Sequence, residues 1–262
     1  MFLDHGERNL ETLNIKDEDG VRLVEMDRPE ALNAFSSQLM DDLAEAFLEV
    51  ASDDSISVLL LTGAGRAFSA GADLAEMGRE QSTPEHGFPG LLDAIINFPK
   101  PFIVAVNGIG VGIGATICGL ADLSYMSDKA KLRAPFSALG LTAEAASTFT
   151  FPQLMGRQRA SWFLLSAEWM TADECVDAGL ALEAVPAEDL LGHAMAKAKK
   201  LAGLPLPSLQ TTKGLIMDPV REQMKASIIA ENKGLAKLVG GAANREALTA
   251  FMEKREPDFS NL

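Results

Sequence analysis

The chain reads as an α/β protein assembled from repeated βα or ββα units. Three observations carry that reading. Two continuous apolar runs suited to buried strands each end in a glycine-rich turn, Ile56 to Leu74 and Pro101 to Asp122. Strand, turn and helix recur about every 45 residues through the first half. From Ala145 onward the pattern is mostly helical, so the repeats give way to a helical second part.

The elements follow in order. Val21 to Met26 alternates well enough for a strand, which Pro29 ends. Ser36 or Ser37 offers an N-cap to a helix whose Leu39, Leu43, Phe47 and Val50 recur at helical spacing and form a core stripe. Ile56 to Leu61 is the next strand, and Gly63 to Gly71 punctuates it. Gly78 to Phe88 is polar and unpatterned and predicts a mobile loop, and a helix from about Pro89 to Asn97 stops before Pro99 and Pro101. Phe102 to Val106 is a strand, and after the second glycine turn a helix runs to about Leu120. Extended pieces at Leu123 to Ser127 and Lys131 to Arg133 follow. Helices are predicted at Arg159 to Ser166, at Thr171 to Ala178 with Thr171 as cap, and at Glu188 to Ala202. LPLPS at Leu204 to Ser208 breaks the chain before long amphipathic segments. Residues 1–203 are therefore expected to form the core with the active site, and 204–262 a helical region.

Composition narrows the class of partner. With 262 residues and 47% hydrophobic side chains there is material for one large core. A net charge of −14 repels phosphate backbones, which makes nucleic acid an improbable partner. The charge is uneven: residues 1–192 hold 12 basic and 30 acidic side chains, whereas 193–262 hold 11 and 7. Either the tail pairs with an acidic core, or some of its lysines meet a small polyanionic ligand. Cys118 and Cys175 lie in apolar or amphipathic surroundings without metal-ligand spacing, so neither a disulfide framework nor a metal site is expected. The charged N-terminus resembles neither a signal peptide nor a transit helix, and no apolar run reaches about 18 residues. A cytoplasmic protein with no membrane association is the expectation; the final SNL is not a peroxisomal address.

Glycine lets backbone approach a ligand with its N–H groups uncovered, so two adjacent turns are able to aim two amide donors at one oxygen. GAGRAFSAG lacks the ending of a P-loop, and AFSAG has Ala67 where a nucleophile elbow needs glycine. Gly110 to Ala115 satisfies GxGxxA after a strand, with Asp128 downstream, which keeps a dinucleotide-binding oxidoreductase open as a weaker reading. His5, His86 and His193 have no partner pattern. Met77, Met155 and Met170 read as core or pocket lining. Locally, Glu144 admits two readings: an exposed glutamate at a helix start, or a carboxylate desolvated among Ala143, Ala145, Ala146, Phe149 and Phe151 and strengthened as a base.

Five ordered blocks, RPEALNAF, LTGAGRAFSAGADL, KPFIVAVNG with its glycine turn, LTAEAASTFTFP and FMEKREPDF, resemble the enoyl-CoA hydratase/isomerase (crotonase) superfamily over nearly the whole chain. APFSALGLTAEAASTFTFP resembles its peroxisomal-type 3,2-enoyl-CoA isomerase branch. The resemblance implies a crotonase-like spiral of ββα repeats with a C-terminal helical trimerisation region, acyl-CoA thioesters as substrates, a role in fatty-acid β-oxidation, and a homotrimer or dimer of trimers. It implies that the backbone N–H groups of Ala72 and Ile113 form an oxyanion hole and that Glu144 is the catalytic acid/base. The two glutamates of family hydratases correspond here to Thr116 and Phe136, neither of which exchanges protons. By the same resemblance Arg28, Ala31 and Leu32, the strand end Ser69, Ala70, Gly71, Asp73 and Leu74, and Gly112 flank the CoA substrate. The resemblance likewise implies that Phe251 and Lys254 of the tail meet CoA, from the same or a neighbouring subunit. Residue by residue, Arg28 also reads as a solvated loop charge, and Asp73 as a helix cap. No metal, flavin or nicotinamide is required, coenzyme A being part of the substrate. The rivals are hydration or another reaction on this scaffold, and a catalytically silent acyl-CoA binder.

Overall fold

The computed structural model describes residues 10–73, 76, 84–260 and 262. In chain order its strands are β1 (Leu13–Glu18), β2 (Val21–Met26), β3 (Val58–Gly63), β4 (Ala67–Ser69), β5 (Phe102–Val106), β6 (Ile109–Val111), β7 (Leu123–Ser127), β8 (Lys131–Arg133), β9 (Trp169–Thr171) and β10 (Glu183–Val185). The helices are α1 (Ser37–Ser52), α2 (Gly87–Asn97), α3 (Ile113–Thr116), α4 (Ser147–Ser166), α5 (Ala172–Ala178), α6 (Leu190–Ala202), α7 (Leu206–Leu238) and α8 (Ala242–Glu253).

Two sheets result, ordered β1-β2-β3-β5-β7-β10 and β4-β6-β8-β9. Strands β3, β5 and β7 enter the larger sheet and their immediate successors β4, β6 and β8 the smaller. Each ββ step therefore crosses from one sheet to the other; the recurring strand-turn pattern predicts the repeat, and its winding into a spiral is what the family resemblance implies. All residues of β3 and β5 are buried, because a parallel sheet is covered on both faces. The glycine-rich segments after them, read from sequence as turns, also contain the short strands β4 and β6.

Strand β1 was not expected from the sequence pattern, since most of it is exposed. It pairs antiparallel with β2 through Asp19 and Gly20, both at positive φ (51° and 77°), the Asp-Gly signature of a tight hairpin turn. Helix α1 starts as predicted: Ser36 Oγ accepts from Leu39 N at 3.1 Å, and Leu39, Leu43, Phe47 and Val50 are buried. Phe47 meets Phe98 and Phe102 edge-on at 5.1 and 4.8 Å between ring centroids. Thr171 caps α5 in a full capping box with Glu174.

Two helices differ from expectation. The one after the second glycine turn is a single α turn, α3, followed by a 3-10 turn at Ile117–Gly119. Helix α4 starts at Ser147 and not near Arg159, with Pro152 inside it and Gly156 at non-helical φ 74° and ψ 155°. Those two residues interrupt the periodicity by which the sequence marks a helix.

The C-terminal helices are packed into the core. Lys100, wholly buried, donates to the carbonyls of Val50, Asp53 and Ile56 at 2.7, 2.7 and 2.8 Å and closes the end of α1. Lys213 of α7 donates to Lys100 O and to Asp122 Oδ2, each at 2.7 Å, and Asp122 in turn accepts from Phe102 N. With Lys197–Glu183 and Lys199–Asp19 at 2.6 and 2.8 Å, these contacts place several tail lysines on core carboxylates. Among the described residues no helix is long and apolar enough to cross a membrane. Cys118 and Cys175 are buried free thiols, and burial pushes the Cys118 thiol up to about 12.

Candidate active site

The first glycine turn is held by the loop before α1. Leu32 and Asn33 have positive φ (52° and 54°), a conformation asparagine tolerates well. Asn33, fully buried, accepts from Arg28 N at 3.0 Å and donates to the carbonyls of Ala64 and Ala67, each at 2.9 Å. The loop then runs beside β4 and its continuation: Ala70 N bonds Leu32 O (2.9 Å), Phe35 N bonds Gly71 O (2.8 Å) and Asp73 N bonds Phe35 O (3.1 Å). Gly71 N donates to Ser69 Oγ at 3.1 Å. Among the described residues the intervening amide, Ala72 N–H, meets no protein acceptor. Arg28 is engaged inside this assembly, donating to Ala34 O at 2.5 Å and pairing with Asp73 at 2.9 Å. It is therefore not a free loop charge. Residues that would show whether Asp73 caps a helix, and Leu74 itself, lie outside the described residues, as do His5 and Met77.

The second turn lies against the first. Gly112 adopts φ 56° and ψ −120°, a region for glycine alone, and its carbonyl accepts from Ala115 N and Thr116 N at 2.8 and 2.9 Å to start α3. Ile113 N–H, at the head of that turn, has no protein acceptor among the described residues. The Ile113 side chain is buried, so its backbone is the group on offer. A Cβ on Gly71 would sit 2.9 Å from Val111 O and 3.8 Å from Gly112 N, which means the two turns touch backbone to backbone. A Cβ on Gly112 would lie 4.0 Å from Glu144 Oε1. The glycines thus bring two free amides and one carboxylate into the same neighbourhood.

Glu144 stands on the loop between the 3-10 turn Ser137–Leu139 and α4. Ala145 and Ala146 after it both have positive φ, 58° and 59°, so the chain reverses sharply before the helix. Ser147 N and Oγ bond back to Glu144 O at 3.1 and 2.7 Å. The side chain is half-buried between buried alanines, and among the described residues its carboxylate accepts no hydrogen bond. Loss of water around it, and secondarily the charge of Glu231, raise its pKa to about 7. Thr116 and Phe136 are both buried, and Thr116 Oγ1 has no hydrogen-bond partner among the described residues.

The structure brings together Arg28, Ala31, Leu32, Ser69, Ala70, Gly71, Ala72, Asp73, Gly112, Ile113 and Glu144. Phe251 and Lys254 are exposed at the end of α8, and no described contact joins them to the turns within one protomer. Three supporting residues escaped the sequence reading. Asn33 carries a signal in hindsight, an asparagine between Leu32 and Ala34 in a loop needing positive φ. Asn107 accepts from Gly63 N at 3.2 Å and donates to Gly65 O at 3.0 Å, and its mark is the Asn-Gly pair before β6. Glu231 lies 87 positions beyond Glu144 on α7 and has no local signal.

A two-sheet ββα spiral whose successive turns present uncovered amides beside a desolvated carboxylate is the architecture of a crotonase-fold enzyme. The chain belongs to the enoyl-CoA hydratase/isomerase family, whose description matches residues 16–261. It is similar to 1,2-epoxyphenylacetyl-CoA isomerase of Escherichia coli K12, 33% identical over 93% of this chain and 96% of that protein. It also resembles enoyl-CoA delta isomerase 2 of Homo sapiens, 33% identical over 85% of this chain but only 58% of the longer human protein. Among solved structures, an enoyl-CoA hydratase/isomerase from Pseudoalteromonas atlantica T6c superposes with TM-score 0.90 at 33% identity, covering 95% of this chain and all of that one. An enoyl-CoA hydratase from Mycobacterium marinum is 48% identical with TM-score 0.76, over 79% of this chain and all of that one.

Proposed function

We propose that the protein isomerises 3-enoyl-CoA to 2-trans-enoyl-CoA with Glu144 as its single acid/base. The observation that carries this reading is the Glu144 carboxylate itself: free of hydrogen bonds among the described residues, raised to about 7, and adjacent to the Gly112 turn. A base poised near neutral pH suits abstraction of a proton alpha to a thioester. Glu144 takes the proton from carbon 2, and the electron pair of that C–H bond delocalises into a dienolate whose oxygen receives the Ala72 and Ile113 amides. The protonated Glu144 then delivers a proton to carbon 4, the double bond moves to carbons 2 and 3, and the carboxylate is regenerated. Donors aimed at the developing oxyanion stabilise it more than the neutral carbonyl, by about 3–4 kcal/mol each in enzymes where one has been removed. Arg28, Ala31, Leu32, Ser69 to Leu74 and Gly112 flank the CoA moiety in this reading. Phe251 and Lys254 meet it from a neighbouring subunit of a trimer, and the chemistry uses no cofactor beyond the CoA of the substrate.

Hydration is the second reading, favoured by the hydratase from Mycobacterium marinum at 48% identity. Against it stand Thr116 and Phe136, which offer no carboxylate to a water. The test is turnover of 3-enoyl-CoA, and of 2-enoyl-CoA with water, by wild type and Glu144→Ala. Isomerisation lost in the variant supports the proposal. Isomerisation retained removes Glu144 as the base, rapid hydration by wild type moves the protein to the second reading, and tight acyl-CoA binding without turnover marks a silent binder.

A further inference from the structure

Helix α7 presents one continuous stripe to the Glu144 loop. Met224, Ser227, Glu231 and Gly234 follow at helical spacing of three, four and three. Met224 is buried in the core, and a Cβ on Gly234 would lie 3.2 Å from Thr142 Cγ2. Ser227 Oγ shares a 2.7 Å hydrogen bond with Thr148 Oγ1. Between them Glu231, 5% exposed, accepts from Ala146 N at 2.8 Å through Oε2, and from Thr148 N and Oγ1 at 2.9 and 2.6 Å through Oε1. Both carboxylate oxygens are thus spent on the start of α4 and on the second of the two left-handed alanines that follow Glu144.

We propose that Glu231 is a positioning residue for Glu144: it clamps the Ala145–Ala146 reversal from which Glu144 projects, and brings a second carboxylate to bear on it. This rests on the acid/base reading of Glu144. Among the described residues the surrounding elements supply no competing charge. Residues 134–143, the turn 107–116 and the first part of α4, residues 147–156, contain no charged side chain. Asp73 of the first turn is paired with Arg28, and Glu76 accepts from Ser37 N at 2.9 Å. Among the described residues Glu231 is accordingly the charged group acting on Glu144, in the direction that favours its protonated form. A neutral isostere also cannot replace the clamp, because an amide has one acceptor oxygen where two are used.

The experiment compares Glu231→Gln with wild type by two readouts: the pH profile of 3-enoyl-CoA isomerisation, and the titration of the Glu144 carboxyl in protein labelled with carbon-13 glutamate, assigned by its loss in Glu144→Gln. Without the Glu231 charge, the acid limb of kcat/KM and the carboxyl midpoint both move to lower pH by about half a unit or more. The high-pH plateau drops as well, because the weakened base abstracts more slowly. Thr148→Val, which removes a hydroxyl and no charge, leaves the limb in place. Should Glu231→Gln fold poorly, adding Ala146→Gly relieves the left-handed strain and raises the melting temperature without restoring the limb. An unmoved carboxyl midpoint overturns the proposal. A midpoint that moves while the rate profile does not keeps the influence of Glu231 and rejects Glu144 as the acid/base.

Discussion

A carboxylate raised to about 7 has opposite consequences for rate and stability at Glu144. Since abstraction needs the ionised form, kcat/KM for isomerisation is expected to rise through pH 7, with the midpoint read from initial rates. Replacing Glu144 by Gln is expected to lower the rate by roughly 10²–10⁴, the usual contribution of a positioned acid or base. Stability runs the other way. The folded pKa lies above the unfolded value, so the favourable contribution is complete below about pH 4.5 and is lost as pH rises through about 7. Glu144→Gln is therefore expected to melt higher than wild type at pH 8, by about 1–3 kcal/mol in unfolding free energy, and to show little gain at pH 4. Equal melting shifts at both pH values would contradict the desolvated carboxyl.

Among the elements, the contact between the two glycine turns decides whether the amides converge. At Gly71 an added Cβ meets Val111 O at 2.9 Å, closer than real Cβ atoms approach, and φ is 93°. Gly71→Ala is expected to separate β4 from the Gly112 turn, to cost about 1–3 kcal/mol and to lower kcat with it. Unfolding curves and single-turnover rates measure the two effects. The strands leading into these turns were readable in advance because β3 and β5 lie in continuous apolar runs bounded by glycine or proline. Strands β1, β9 and β10 were not, because each is short or half-exposed and owes its extended form to a neighbour in the sheet. Helix α4 was half legible for a similar reason. Its first turns, broken by Pro152, are held by Glu231 from the far end of the chain.

For the whole molecule, the docking of α7 joins the C-terminal helices to the sheet core through buried lysines. Lys213→Ala takes the ammonium donor from Lys100 O and leaves the Asp122 carboxylate with Phe102 N but no cation, and is expected to destabilise the fold by about 3 kcal/mol in urea titrations. An unchanged midpoint would mean that the Lys213 contacts add nothing to the docking of α7. The exposed apolar side chains Trp162, Leu165, Leu215, Ile216, Phe251 and Met252 are compatible with the trimer proposed above. Sedimentation at about three times the 27.9 kDa chain mass, or six times for a dimer of trimers, is the expected result, and a monomer would leave Phe251 and Lys254 without a route to CoA.

The sequence by itself determined the βα character and the two glycine turns, and by its family resemblance marked Glu144 as the candidate carboxylate, because each depends on local pattern or on residues held in one short motif. Only the tertiary structure decided that Gly71 and Gly112 touch, that Arg28 is tied to Asp73, and that Glu231 stands behind Glu144. Those are contacts between segments 41 to 87 residues apart in the chain. Their geometry follows from sheet pairing and helix packing, which no local periodicity encodes. The electrostatics of Glu144 belong to the same category: the residue type is written in the chain, whereas its affinity for a proton depends on how much water and which charge the fold leaves beside it.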